Sequence, residues 1–153
     1  MPAVTLPISA LEMSLAWLSA WLTAVISGLL GLAEVFDGHV DAARRSFGQQ
    51  LDLASKHGFD ALLSESFTGL AVIAVHARDD ATAATLRAAA SARGPSLSPR
   101  EQLVDDRLTH RWFDPSRERL GATRFEDALR RGEHLSRSAV IAVARDVGAM
   151  TTA

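Results

Sequence analysis

The residues able to carry chemistry are dispersed rather than gathered. Five histidines, His39, His57, His76, His110 and His134, are spread through 153 residues. None is paired at i, i+4 as a helical zinc site requires, and with zero cysteines no thiolate can assist. The same absence excludes a cysteine nucleophile and a disulfide framework. Acids are paired at Asp79-Asp80, Asp105-Asp106 and Glu126-Asp127. Neighbours on a helix diverge by about 100°, so such pairs read as caps and surface charges, not as facing dyads. Serines are common but no Gly-x-Ser-x-Gly elbow contains one. We therefore expect no enzyme, no metal site and no cofactor, and the residues identify no small-molecule substrate.

Arg100, Arg107, Arg111, Arg117, Arg119, Arg124, Arg130 and Arg131, with Trp112 and Phe113 among them, are the one stretch that could suggest a nucleic-acid surface. Seven acids share that span, which is the mixed-sign pattern of a solvated helical face. A net charge of −2 adds no broad attraction to phosphate, and direct nucleic-acid binding is not expected. The charge is also uneven. Residues 1–75 hold three basic and seven acidic side chains, residues 76–153 thirteen and eleven.

The elements that must position these groups are helices. Alanine is abundant, no stretch alternates apolar and polar residues for long, and Gly/Pro/Asp punctuation recurs at Asp37-Gly38, Gly58, Asp79-Asp80, Gly94-Pro95, Asp114-Pro115, Gly121 and Gly132. This reads as one all-α domain over residues 1–153.

The first helix is expected after Pro7, with Ser9 and Glu12 as a capping box and Leu11, Leu15, Leu18, Leu22, Val25, Leu29, Leu32 and Phe36 as a stripe that must be buried. A second, about Val40 to His57, places Val40, Ala43, Phe47, Leu51 and Ala54 on one side and ends at Gly58. A third, opened by Asp60, carries Leu63, Phe67, Leu70, Ala74 and Ala77, with Leu62, Ser66, Gly69 and Ile73 on the adjoining face. A fourth runs from about Ala81 to Arg93.

Setting Gly28 on Gly69 aligns Leu29 with Leu70, Leu32 with Ile73 and Ala42-Ala43 with Ala83-Ala84, an offset of 41. The unit is a helical hairpin, so residues 9–93 read as two stacked, tetratricopeptide-like hairpins of an α-solenoid. Residues 98–146 read as a cap of shorter helices. Ser98-Pro99-Arg100-Glu101 starts one that runs to about Trp112, and Asp114-Pro115 starts another. Thr123 to Glu126 gives a capping box for a helix that Gly132 ends, and Ser136 caps the last, to about Asp146.

Gly69-Leu70-Ala71, the run Asp79 to Ala89, Leu97 to Glu101, Leu120 to Ala128 and Arg131 to Ser136, in that order, resemble the C-terminal tetratricopeptide-like region of actinobacterial LuxR-type transcriptional regulators that carry an ATPase core. The likeness covers about residues 24–146. It implies a helical scaffold that receives signals or protein partners. It implies no ATP hydrolysis or operator binding, because the Gly-x-x-x-x-Gly-Lys-Ser/Thr loop and the rest of the ATPase are not in this sequence.

Met13 to Ala33 is a 21-residue run without a charge, long enough to cross a bilayer. Ser14, Ser19, Thr23, Ser27, Gly28 and Gly31, the lack of a preceding Lys or Arg and the mid-run position of Trp21 favour a buried repeat helix, with a membrane anchor at residues 13–33 as the alternative. In the resembled family an upstream repeat would cover this helix. Without one, Trp17, Leu18, Trp21 and Leu22 are expected to form an exposed partner-binding patch. The expectation is thus a cytoplasmic scaffold that pairs with itself or another helical protein, the alternative being membrane association.

Overall fold

A computed structural model describes residues 6–150, with side chains from residue 9 onward. Of the single unit expected over 1–153, residues 1–5 and 151–153 lie outside the described residues. The described chain is all-helical, with no strand. Its order is α1 (Leu6–Phe36), α2 (Val40–His57), α3 (Asp60–His76), α4 (Asp80–Arg93), α5 (Pro99–Leu108), a π-helical turn (Thr109–Phe113), α6 (Asp114–Leu120), α7 (Ala122–His134) and α8 (Arg137–Ala149).

Local chemistry accounts for most boundaries. Gly58 takes the left-handed conformation that closes α2, φ 72°. Asp79 accepts the Thr82 N–H at the start of α4, Ser98 and Glu101 form a reciprocal capping box on α5, and Ser136 accepts the Ala139 N–H on α8. Three expected boundaries are displaced. Helix α1 is already formed at Leu6, so Ser9 lies inside it and is not its cap. Helix α7 begins at Ala122 behind Gly121, whose φ of 84° makes the turn, so the Thr123 hydroxyl caps nothing. Gly132 does not end α7, which continues to His134. A Cβ there would stand 2.8 Å from that of Ala88, so this glycine is a point of close approach to α4.

Asp114-Pro115 also fails to break the chain. Pro115 has no N–H to offer the carbonyl four residues back, and its ring would crowd that carbonyl. The turn just before it is widened, with the Asp114 N–H reaching Thr109 O, and the helical path runs on from Pro99 to Leu120.

Helices α1 to α4 pack each against the next. The turns after α1 and α3 have the same hydrogen bonds: Asp37, Gly38 and His39 donate to Ala33, Val35 and Glu34, and Ala77, Arg78 and Asp79 to Ile73, Val75 and Ala74. The spacing between them is 40, one less than the alignment of Gly28 with Gly69 suggests. Small residues make the close contacts. The Phe47 ring lies against both Gly31 of α1 and Gly69 of α3, at the centre of a core that includes Leu51, Phe67, Leu70 and Leu86. Ala77, expected on the buried stripe of α3, is exposed at the helix end.

The C-terminal helices do not simply sit on the end of a stack. Helix α7 packs on α4, but α8 lies back across α2, α3 and α4. Val140, Ala144 and Val147 are buried there, and Arg44 donates to Gly148 O at 2.8 Å. In a linear solenoid each repeat touches only its neighbours, and this return departs from that plan.

Candidate functional site

The stripe of α1 is where the structure departs most from expectation. Leu11, Leu15, Leu18, Leu22 and Leu29 are exposed, and Val25, Leu32 and Phe36 only partly covered. The face that is buried is made of Ala24, Ser27, Gly28, Gly31 and Val35. The reason is separation: small side chains let the α1 and α2 backbones approach, and the larger residues then point elsewhere. Polar contacts join the same face, Ser27 Oγ to Gln49 Oε1 at 3.1 Å and Ser46 Oγ to Glu34 Oε2 at 2.8 Å.

At about 100° per residue, Leu11, Leu15, Leu18, Leu22, Ile26 and Leu29 fall on the side of α1 opposite this buried face. Trp17 and Trp21 do not join them. Trp17 falls on the α2-facing line just beyond the end of α2, edge-on to Phe59 with ring centroids 5.4 Å apart. Trp21 lies at the margin of that line, 38% exposed. The four expected patch residues are therefore all exposed, but as two pairs: Leu18 and Leu22 on the outer stripe, Trp17 and Trp21 on a flank. Ile26 and Leu30 belong to the same apolar surface without standing on the Leu heptad that marked it in the sequence.

The histidines and acids are apart, and no group of three metal-ligating side chains is found among the described residues. His57 stacks on Phe59, His76 lies against Trp112, and His134 Nδ1 is 2.7 Å from Arg130 O. Burial pushes the His76 imidazole below its ordinary pKa, and the Arg111 charge adds to this. The members of each acidic pair go different ways. Asp105 holds Arg87 by two bonds of 2.5 and 2.6 Å, while Asp106 accepts from Gln102. Asp80 accepts from Ser116 and Arg119 at 2.6 and 2.7 Å. Desolvation alone would raise the Asp80 pKa. The hydrogen bonds from Arg119 and Ser116, with the charges of Arg119 and Arg78, outweigh it and hold the carboxyl below its ordinary value.

Several of the arginines that suggested a nucleic-acid surface are engaged within the chain. Arg111 lies over Trp112, Arg117 over Phe125, Arg119 binds Asp80 and Arg130 binds Asp127.

A second feature was not read from the sequence. Helices α1 to α5 line an open cavity of about 590 Å3. Val25, Leu29, Leu32, Phe47, Val104 and Leu108 supply apolar wall, and Glu65 stands at its mouth. Desolvation raises the Glu65 pKa above its ordinary value. The Gln50 amide opposes the rise and the Glu101 charge adds to it. The signal in the sequence was Glu65 itself, a lone acid between Ser64 and Ser66 on a helix otherwise apolar on two faces.

No protein-family model, no curated protein and no solved structure matches this chain.

Proposed function

We propose that this chain is a non-catalytic, tetratricopeptide-like interaction scaffold that docks a helical partner on the outer stripe of α1, in the manner of the LuxR-type C-terminal region it resembles. The observation that carries the reading is the exposure of Leu11, Leu15, Leu18, Leu22, Ile26 and Leu29 on one side of a helix whose other side is already packed. A surface of this kind on a folded domain marks an interaction site. The simplest occupant is a second copy, because one stripe can meet itself about a two-fold axis.

Length and hydropathy favour a second reading, since Ser9–Phe36 is apolar enough to cross a membrane, with a mean hydropathy of 1.8 over its best window and 22% of that window buried. The packing of α2 weighs against it. Helix α2 is about 27 Å long and runs back along the C-terminal part of α1, carrying Asp41, Arg44, Arg45, Asp52 and Lys56. Inserting that part of α1 would draw these charges into hydrocarbon or strip α2 away.

Sedimentation velocity across a concentration series, run beside an alkaline carbonate wash of the expressing cells, separates the readings. The expected result is a carbonate-soluble dimer that Leu18→Glu with Leu22→Glu converts to a folded monomer. A chain recovered only in detergent-extractable membrane, or a wild-type monomer at every concentration and with no helical partner retained, overturns the proposal.

A further inference from the structure

The cavity beside α1 has the size and make-up of a ligand site. Pockets that hold small molecules span about 300–1,000 Å3 and set a few polar groups among apolar walls. Here the apolar walls come from α1, α2 and α5, and the polar groups from α3, α4 and α5. Their charges decide what would fit. Arg87 is committed to Asp105 through two hydrogen bonds and to Thr109 through a third, and its guanidinium lies 4.7 Å from the centroid of Phe113. Glu101 is engaged by the Ser98 backbone at 2.7 Å. Glu65 makes no ion pair among the described residues. Gln50, whose amide lies against Gly28 of α1, is wholly buried and not part of the cavity lining. Glu65 is thus an acid on the chamber lining with no cation paired to it among the described residues.

We propose that this cavity binds a small amphipathic amine, with the ammonium on the Glu65 carboxylate and the apolar body against Val25, Leu32 and Val104. An ammonium supplies what Glu65 lacks, a counter-charge beside an apolar wall. With Arg87 and Asp105 paired, the charges left on the lining are Glu65, Glu101 and Arg100, so an anion would meet two acids against one cation. A neutral molecule would fill the walls and leave Glu65 as it is. The site shares Leu29 with the outer stripe of α1, but Glu65, Val25, Leu32 and Val104 lie off that stripe, and Leu18 and Leu22 lie off the cavity.

Three probes with one body distinguish these cases: 4-phenylbutylamine, 4-phenylbutanol and 4-phenylbutyrate, each titrated calorimetrically into the full chain at neutral pH, with methyl NMR shifts of Leu32 and Val104 locating the binding. The amine is expected to bind and move those methyls, and Glu65→Gln to weaken it about ten- to a hundredfold while leaving the alcohol unchanged. Val104→Trp, which fills the chamber without touching the acid, is expected to abolish amine binding with helicity retained. Equal binding of amine and alcohol, tighter binding of the carboxylate, amine binding that survives Val104→Trp, or no binding by any probe overturns the proposal.

Discussion

The ring of Phe47 rests on the bare backbone of Gly69, with Gly31 against the same ring edge, where a Cβ would stand 2.7 Å from Cε1. Three consecutive helices therefore meet at one aromatic side chain that is 1% exposed.

Gly69→Ala would set a methyl inside contact distance of that ring, which must shift to admit it. Overpacking of this kind costs about 1–3 kcal/mol, more than the gain in helix propensity from replacing glycine. Urea denaturation is expected to show the loss. Phe47→Leu in the same chain should recover part of it, since the two changes share one contact. Equal and additive losses would show that the contact is not shared.

Arg78 occupies, at φ 62°, the left-handed position that Gly38 occupies at φ 84° one turn earlier in the series. A side chain there costs about 1–2 kcal/mol, and glycine gives back part of that in unfolded-chain entropy. Arg78→Gly is expected to stabilise the chain by about 0.5–1 kcal/mol in thermal unfolding, and Gly38→Arg to destabilise it. A destabilised Arg78→Gly would mean that the Arg78 charge near Asp80 outweighs the strain.

Glu65 gives a pH dependence of definite sign. Its folded pKa lies above the unfolded value near 4.5, so the folded state holds the proton more tightly, and stability falls as pH rises through that window. Glu65→Gln removes the penalty paid by the ionised form. The variant is expected to melt above the wild type at pH 7 and level with it at pH 4, by differential scanning calorimetry. A gain of the same size at both values would assign the effect to packing and not to charge.

What could be read from the sequence was local. The caps at Ser98 and Ser136, the left-handed Gly58 and the buried side of α2 are each decided within a few residues, and they stand as expected. Asp79 acts within three residues of Thr82 and was legible as a turn. The failures have one cause. A period of 3.6 shows that α1 has an apolar stripe but not what covers it, and the small residues between the leucines turned out to face α2. Gly132 next to a helix end looks like a stop, and only the presence of α4 beside it makes it a contact. The spacing of 41 rested on matching residue types, whereas the turns themselves repeat at 40. The cavity needed side chains from five helices, Val25 to Leu108, to come together, and only Glu65 hinted at it.

The return of α8 across α2, α3 and α4 has a consequence for stoichiometry. Helices α6, α7 and α8 occupy the flank of the hairpins that faces away from α1, and outside α1 the large apolar side chains left exposed among the described residues are Leu97 and Leu103. Under the proposed docking on α1, the described residues therefore supply one adhesive face and a valence of one. Subunits that carry complementary surfaces at both ends polymerise head to tail, but a subunit with a single adhesive face pairs once and has nothing left to offer a third.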